Sequence, residues 1–344
     1  MYRLTLTSEE IVYIQKLLKH IKAQYNCVED TQFLDDAILF AQELPRRLRA
    51  LLRDFKLLES VPGICLISGY PVDAETIGRT PPHWKEKILP SPSLDEEILL
   101  VLFGSLLGDV FGWSTQQDGC IVHDLLPIKG HEYEQLGSGS EQTLVWHTEE
   151  AFHSYRGDYL GLMCLRNPYH AQTTYASLDG IHLEPRHLEV LFEARFTIRP
   201  DESHFLKNRS SSERVLAEAD VLLKKAYQKI ELMNCQPEKI PVLFGSPASP
   251  YLRIDPYFMD PMHDDEEAQQ ALDVLMHEID AHLAAIPFQP GDICFLDNYR
   301  VVHGRGSFIA KYDGYDRWLK RVNITRDLRK SRDMRASATS RIIY

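Results

Sequence analysis

Three residues of the sequence have the types and spacing of a metal site. His147 and Glu149 are separated by one residue at the end of a predicted strand, where the period of two directs both side chains to one face. Much further along, segment 291–305 predicts a strand, a turn and a second strand edge that carries His303. Two imidazoles and one carboxylate on one face leave the opposite coordination positions open, as in non-haem Fe(II) oxygenases. The sequence therefore predicts an Fe(II) site at these three residues.

Two arginines follow His303 in a run of strand-forming residues. Arg317 and Arg321 are four residues apart, so equal parity in a strand lets both face one cavity. An unpaired buried charge costs several kcal/mol, so the pair requires anionic ligands such as carboxylates. A zinc hydrolase also uses two histidines and a carboxylate, but it does not need the arginines. An oxygenase is thus favoured over a zinc hydrolase, and over a non-catalytic binding protein because the metal triad is intact.

The elements that must position these residues change in kind along the chain. A capping box at 7–10 predicts the start of a helix, and Pro45 divides the helical pattern of 33–58 into two helices. Residues 63–70 predict a buried strand, and residues 95–113 predict another helix. From about residue 116 short apolar runs predict strands at 144–147, 159–165, 173–178, 196–199, 241–244, 251–254, 293–296 and 318–324. One helical pattern, 265–286, interrupts them, and the polar stretch 200–212 predicts a mobile surface loop. The pattern predicts an α+β fold, with helices around a mainly antiparallel double sheet.

Composition limits the partners. The chain of 344 residues has 38 Lys and Arg against 50 Asp and Glu, a net charge of −12, which argues against nucleic acid or an anionic membrane surface as the main partner. A small cationic partner remains open. The six widely spaced cysteines and the lack of a signal peptide or a long apolar stretch predict a cytoplasmic protein with reduced thiols, and the pattern favours one large domain, 1–344.

The residues around the first histidine carry a further signal. Segment 147–152, with Tyr155-Arg156 and 165–168, resembles the clavaminate synthase-like Fe(II)/2-oxoglutarate oxygenases, and within them the hydroxylases of free arginine, lysine and asparagine. The resemblance implies a distorted double-stranded β-helix, or jelly-roll, at about 116–330. It also implies a helical N-terminal elaboration at about 1–115 and a lid loop at about 200–212.

By the same resemblance, His147, Glu149 and His303 would hold Fe(II), and 2-oxoglutarate and O2 would be the cosubstrates. Arg317 would bind the distal carboxylate of 2-oxoglutarate with the help of Thr173, or of Thr174 in the alternative register. The residues expected at the amino-acid substrate are Arg321 for its α-carboxylate, Gln116 (or Gln117) with Glu149 for its α-ammonium, Asp201 and Ser203 of the lid for its side chain, and Asp255 for its cationic end.

The substrate is predicted to be a free L-amino acid with a cationic side chain, because Asp255 and Asp201 would meet a desolvated cation. Arginine hydroxylases of the group carry a second acid where this chain has Tyr257. One acid and a phenol suit a compact ammonium better than a planar guanidinium. The sequence therefore favours hydroxylation of L-lysine at C3 or C4, with L-arginine or an arginine derivative as the alternative. The oligomeric state stays open.

Overall fold

The computed structural model describes residues 2–59, 63–208 and 217–344. Its helices are α1 (Ser8–Lys22), α2 (Thr31–Ala41), α3 (Arg46–Leu58), α4 (Ala74–Ile77), α5 (Leu94–Leu107), α6 (Pro185–Leu191), α7 (Ala217–Cys235) and α8 (Glu266–Ala281). Its strands are β1 (Tyr2–Thr5), β2 (Ile64–Ser68), β3 (Asp109–Trp113), β4 (His123–Leu125), β5 (Leu144–His147), β6 (Tyr159–Arg166), β7 (Thr173–Ser177), β8 (Leu243–Ser246), β9 (Ser249–Leu252), β10 (Ala284–Ile286), β11 (Ile293–Asp297), β12 (Val301–Arg305), β13 (Trp318–Thr325) and β14 (Ile342–Ile343).

The N-terminal helices form as their end signals predict. The Thr7 hydroxyl accepts from the backbone of Glu10, and the Glu10 carboxylate accepts from the backbone of Thr7, which confirms the capping box at the start of α1. Pro45 lies immediately before α3, so the predicted division into two helices is also confirmed. These helices pack with α5, which is apolar on nearly every side and buried, against the larger sheet.

The predicted helix 95–113 is wrong over its last six residues, because the range contains two elements. Helix α5 ends at Leu107, and Gly108 leads directly into strand β3, which pairs with β13. A Cβ at Gly108 would lie 2.2 Å from the carbonyl oxygen of Thr325, so only glycine allows this close approach. The predicted helix 265–286 is also too long, since α8 ends at Ala281 and the chain continues as strand β10.

Two sheets dominate the described part of the chain. The larger has eight strands in the order β1-β2-β11-β6-β13-β3-β14, with β4 also paired to β13, and the smaller has the order β10-β7-β12-β5. Two pairs, β1 with β2 and β3 with β14, are parallel, and the other pairs are antiparallel. Apolar side chains of both sheets share a buried cluster, among them Leu160, Leu162 and Leu319 of the larger and Val301 of the smaller. The α+β architecture with a mainly antiparallel double sheet is confirmed.

Other elements differ from the expectations. Residues 196–199 form only isolated bridges, Phe196 to Ile240 and Ile198 to Met259, rather than a strand. Helices α6 and α7 are not among the predicted elements. Residues 200–208, named here the lid segment, are not a free surface loop, since they form two short 3-10 turns and bury His204 completely. The rest of the predicted lid, 209–212, lies outside the described residues.

Membrane crossing would require a helix both long and apolar enough, and the described ranges contain none. All six cysteines are unpaired thiols.

Candidate active site

The predicted metal ligands converge where β12 pairs with β5. The antiparallel register places His303 directly opposite His147, with ring centroids 4.6 Å apart. The Oε2 atom of Glu149 lies 3.8 Å from Nε2 of His147 and 3.4 Å from Nε2 of His303. One ligand atom from each of the three residues lies within 4.8 Å of the others, a spacing that one metal ion can bridge. The set is largely buried, so it forms a compact donor group inside the protein.

Glu149 reaches this position for a reason that strand periodicity does not supply. Strand β5 ends at His147, so Glu149 lies in the following loop and the expectation of a shared strand face is wrong. Its backbone N–H donates to Oδ1 of Asn298 at 2.6 Å, and Nδ2 of Asn298 donates to its carbonyl at 3.0 Å. Asn298 lies between β11 and β12, and it thus fixes the loop of one ligand to the turn that precedes another. No motif in the sequence indicates Asn298.

The electrostatics of the three side chains suit a cation. The ring of His147 uses Nδ1 toward the carbonyl of Val145, at 2.8 Å, which leaves Nε2 free to bind a metal. Burial opposes a charge on His147, but the carboxylates of Glu149 and Asp255 raise its pKa to about 9. Burial likewise opposes ionisation of Glu149, yet Arg321 and both histidines hold its pKa well below the usual range. Burial lowers the pKa of His303, which favours the neutral form of its ring that binds metals. An ionised carboxylate therefore lies beside the two imidazoles, where it would stabilise a bound cation.

A second cluster in the same cavity has unused donors. Arg317, just before β13, is 5% exposed, and Thr173 on β7 is 4% exposed. Within the described residues neither Nε of Arg317 nor Oγ1 of Thr173 has a hydrogen-bond partner. Burial lowers the pKa of Arg317 to about 10. Buried donors of this kind fit an anionic ligand such as a 2-oxoglutarate carboxylate.

The neighbourhood of this cluster adds positive charge and resolves the threonine register. Arg305 is buried and lies close to Arg317. Burial first, and then the positive charge of Arg317, lower the pKa of Arg305 to about 9. Thr173, opposite Arg305 in the β7–β12 pairing, lines the cavity, whereas Thr174 lies opposite Gly304 and does not. Of the two candidate threonines, Thr173 is thus the one that lines the same cavity as Arg317.

Arg321 links the metal ligands to the predicted substrate residues. It donates to Oε1 of Glu149, to Oε1 of Gln116 at 3.1 Å and to Nδ1 of His123 at 2.7 Å. Gln116 in turn donates from Nε2 to the hydroxyl of Ser203 at 2.6 Å. A chain of hydrogen bonds therefore runs from the lid segment to Glu149. His123 is a buried member of the site that no motif in the sequence indicates.

Gln117 has a different role from its neighbour. Its side-chain amide bonds both main-chain groups of Asp124, at 2.9 and 3.0 Å. Gln116 rather than Gln117 thus contacts Arg321 and the lid segment.

Two acids approach the same cavity. Asp255 follows β9 and accepts from the backbone of Tyr257 and Phe258, at 3.2 and 3.3 Å. Burial and the nearby charge of Asp201 raise the pKa of Asp255 to about 6. Asp201 accepts from the backbone of Ser203 at 2.8 Å. Tyr257 is 55% exposed, so it lies at the rim of the cavity. Asp201 and Asp255 both line the cavity, close enough for the charge of Asp201 to act on Asp255.

One cavity of about 270 Å³ brings the predicted site together. Its lining includes every site residue predicted from the sequence: Gln116, His147, Glu149, Thr173, Asp201, Ser203, Asp255, Tyr257, His303, Arg317 and Arg321. The donor set suits Fe(II), and the unpartnered atoms of Arg317 and Thr173 suit a dicarboxylate beside it.

A family model described as "Taurine catabolism dioxygenase TauD, TfdA family" matches residues 100–323. The chain belongs to this dioxygenase family. It is 43% identical to the enduracididine beta-hydroxylase of Streptomyces hygroscopicus and 44% identical to an L-ornithine/L-arginine 3-hydroxylase of Catenulispora acidiphila, each over 100% of both chains. An L-lysine 3-hydroxylase of the same Catenulispora is 26% identical, over 97% of this chain and 87% of its own.

A solved structure agrees with these relatives. The non-heme iron oxygenase OrfP, in complex with Fe, succinate and (3S)-hydroxy-L-Arg, is 43% identical, covers 100% of both chains and has a TM-score of 0.93. The TauD-family chain is therefore an Fe(II)/2-oxoglutarate-dependent dioxygenase, and Fe(II), 2-oxoglutarate and O2 are its cofactors. The family resemblance seen in the sequence is confirmed, and the zinc hydrolase alternative is wrong.

Proposed function

We propose that this dioxygenase hydroxylates C3 of a free L-amino acid with a guanidine group, L-arginine or an arginine derivative. The observation that carries the proposal is the approach of two carboxylates, Asp201 and Asp255, inside the iron-site cavity. A guanidinium has five donors in a planar fork and suits two carboxylates, whereas an ammonium is a compact point charge. The relatives named for enduracididine and L-arginine, both guanidine compounds, support the same choice, although the second is named for L-ornithine as well, whose side chain ends in an ammonium.

The preference for L-lysine is replaced by its alternative. That preference rested on Tyr257 in the place of a second acid, but Tyr257 is more than half exposed and Asp201 supplies a second carboxylate from the lid segment. The lysine 3-hydroxylase is also a more distant relative, at 26% identity against 43% and 44%.

Each end of the substrate has a partner in the proposal. Arg321 binds the α-carboxylate, and Gln116 with the Oε1 oxygen of Glu149 receives the α-ammonium. In the described structure these groups bond one another, so a zwitterion would enter between charges that are already opposed. Asp201 and Asp255 bind the guanidinium, and Ser203 orients the lid segment above it. Anchoring both charged ends determines which carbon lies nearest the metal.

The metal and cosubstrate residues complete the proposal. His147, Glu149 and His303 hold Fe(II), and Arg317 and Thr173 bind the distal carboxylate of 2-oxoglutarate. When bound, iron and 2-oxoglutarate activate O2 and supply the oxidising chemistry, while the chain positions the substrate and excludes water. We also infer a single oxygenase domain over 1–344, whose sheets form a distorted double-stranded β-helix.

The test is a substrate competition with the iron-loaded enzyme. Succinate and hydroxylated product are measured for the twenty amino acids and for L-ornithine, L-homoarginine and L-citrulline, and mass analysis locates the hydroxyl. Citrulline is the matched control, because it has nearly the shape of arginine without its charge. We expect arginine or a guanidine-bearing analogue to exceed lysine and citrulline by about tenfold or more in kcat/KM. Lysine turned over faster than every guanidine compound would contradict the proposal.

A further inference from the structure

His204 in the lid segment is completely buried and uses both ring nitrogens. Its Nδ1 lies 2.6 Å from the hydroxyl of Thr115, and its Nε2 lies 2.6 Å from Oε2 of Glu150. The rings of Phe152 and Trp113 enclose it, with centroids 5.0 and 5.9 Å away. A fully satisfied polar group in such surroundings is costly to expose or to leave half paired.

The two partners of His204 are sequence neighbours of active-site residues. Thr115 precedes Gln116, and Glu150 follows Glu149. Glu150 has a φ of 54°, a backbone conformation that few residues other than glycine adopt. Through this turn Glu149 takes part in the metal-ligand cluster, while the next carboxylate meets the lid segment.

We propose that His204, Thr115 and Glu150 form a clasp that holds the lid segment over the substrate, with His204 as its positioning residue. Ser203 is next to His204, and its hydroxyl accepts a hydrogen bond from Gln116. The backbone N–H of Ser203 donates to the carboxylate of Asp201. The clasp therefore sets the height of Asp201 and Ser203 above the cavity. The proposal rests on the proposed function only for the identity of the substrate held below the lid.

The same residues also resemble a small metal site, because one ligand atom each of Glu150, Asp201 and His204 lies within 4.8 Å of the others. Hydrogen bonding explains the geometry better. Tetrahedral zinc with bonds near 2.0–2.1 Å would hold its ligand atoms about 3.3 Å apart. Nε2 of His204 and Oε2 of Glu150 are only 2.6 Å apart, and Asp201 is 3.9 Å from the ring. A proton shared between two polar atoms fits this spacing.

The experiment compares two disruptive variants with two matched controls. Thr115→Val removes the hydroxyl at nearly constant volume, and Thr115→Ser retains it. His204→Gln removes the imidazole, and His277→Gln makes the same change on the exposed face of α8. For each enzyme we would measure hydroxylated product per succinate, KM for both substrates, bound iron, and amide hydrogen exchange at 202–208.

We expect Thr115→Val and His204→Gln to lower product per succinate at least threefold, to raise KM for the amino acid and to speed exchange at 202–208. Iron content and KM for 2-oxoglutarate should stay within twofold of the wild type. Thr115→Ser and His277→Gln should behave as the wild type. If His204→Gln does not fold, the milder Thr115→Val decides.

Two outcomes would overturn the clasp. Lower thermal stability with unchanged coupling and unchanged exchange at 202–208 would make the cluster merely structural. A second metal ion per chain that is lost in His204→Gln would make it a metal site. If the wild type hydroxylates no cationic amino acid, the proposed function fails, but the exchange measurement needs no substrate and still tests the clasp.

Discussion

Arg317 shows how a residue without a partner indicates a ligand. Within the described residues its buried guanidinium has an unbonded Nε, and the Thr173 hydroxyl in the same cavity lining is unbonded too. We expect Arg317→Ala to raise KM for 2-oxoglutarate about 10- to 100-fold, because hydrogen bonds to charged groups contribute about 1.5–3 kcal/mol. Thr173→Val should have a smaller effect in the same direction. Steady-state kinetics with arginine saturating would measure both, and an unchanged 2-oxoglutarate requirement in Arg317→Ala would place the carboxylate elsewhere.

Asn298 is not a metal ligand itself, but it holds the main chain of the predicted ligand Glu149. Its amide holds both main-chain groups of Glu149 and the carbonyl of Gly157. We expect Asn298→Ala to weaken Fe(II) binding about 10- to 100-fold, as loss of groups that orient ligands does. Asn323→Ala is the matched control, because Asn323 is equally buried but its Oδ1 has no hydrogen-bond partner within the described residues. Equal iron titration curves for the two variants would refute this role.

At the residue scale, sequence spacing could find the groups that touch ligands but not those that hold them. His147, Glu149 and Arg317 stand in motifs with recognisable neighbours. Asn298 and His123 are single polar residues in a turn and a short strand, and only the folded chain shows that each meets a site residue. Their partners are too distant in sequence for any local pattern to reveal them.

Among the elements, α5 supports strand β13, which contains Arg321 and begins directly after Arg317. Lys320 of β13 is buried between Glu97 of α5, at 2.8 Å, and Asp124 of β4, at 2.5 Å. Arg317 and Arg321 line the cavity. Lys320 points to the opposite face of the strand, where its ion pairs hold β13 against α5 and β4. Glu96, one residue before Glu97, is also buried, but within the described residues it has no ion pair.

The buried carboxyl of Glu96, which has no ion pair within the described residues, predicts that the stability of the protein depends on pH. Burial and the charges of Asp95 and Glu97 raise the pKa of Glu96 from 4.5 to about 7. Between these values the native state binds more protons than the unfolded state, so this contribution to stability is largest at low pH and is lost as pH rises through about 7. Glu96→Gln should therefore stabilise the protein by about 1–3 kcal/mol at pH 8, with the gain vanishing toward pH 5.

Thermal unfolding at several pH values measures this effect. Glu97→Gln is the control, because it removes a partner of buried Lys320 and should destabilise the protein at pH 8, where Glu96→Gln stabilises it. A Glu96→Gln protein that gains nothing at pH 8 would show that this carboxyl does not titrate near 7.

Element types were predictable where end signals are strong, as at Thr7 and Pro45. Hydrophobicity alone could not divide α5 from β3, because both are apolar and buried and only Gly108 separates them. Helix α7 had a usable signal, since its buried residues Leu223, Ala226 and Ile230 follow helical spacing. The polar stretch before it led to the omission.

At the scale of the whole molecule, the site depends on long-range pairing. The register of β5 with β12 joins His147 to His303 across more than a third of the chain, and β13 brings the arginines beside them. Spacing along the sequence cannot specify such registers. Family resemblance predicted the grouping because it carries the three-dimensional arrangement of related chains.

The net charge of −12 also belongs to the whole molecule, and it should favour a cationic amino acid over a neutral one of the same shape. Free arginine carries one net positive charge, and the cavity proposed to bind it is lined by Asp201 and Asp255. Because the Debye length shortens from about 30 Å at 0.01 M salt to about 8 Å at 0.15 M, added salt should lower kcat/KM for arginine by about two- to tenfold. L-Citrulline, nearly isosteric but uncharged, should show little salt dependence, and KM for the anionic 2-oxoglutarate should not rise. The measurement is a salt series with both amino acids under saturating 2-oxoglutarate, and a second series that varies 2-oxoglutarate under saturating arginine. Parallel curves for arginine and citrulline would mean that the acidic surface does not guide the substrate, and that selection for the cation occurs only by contact with the two carboxylates in the cavity.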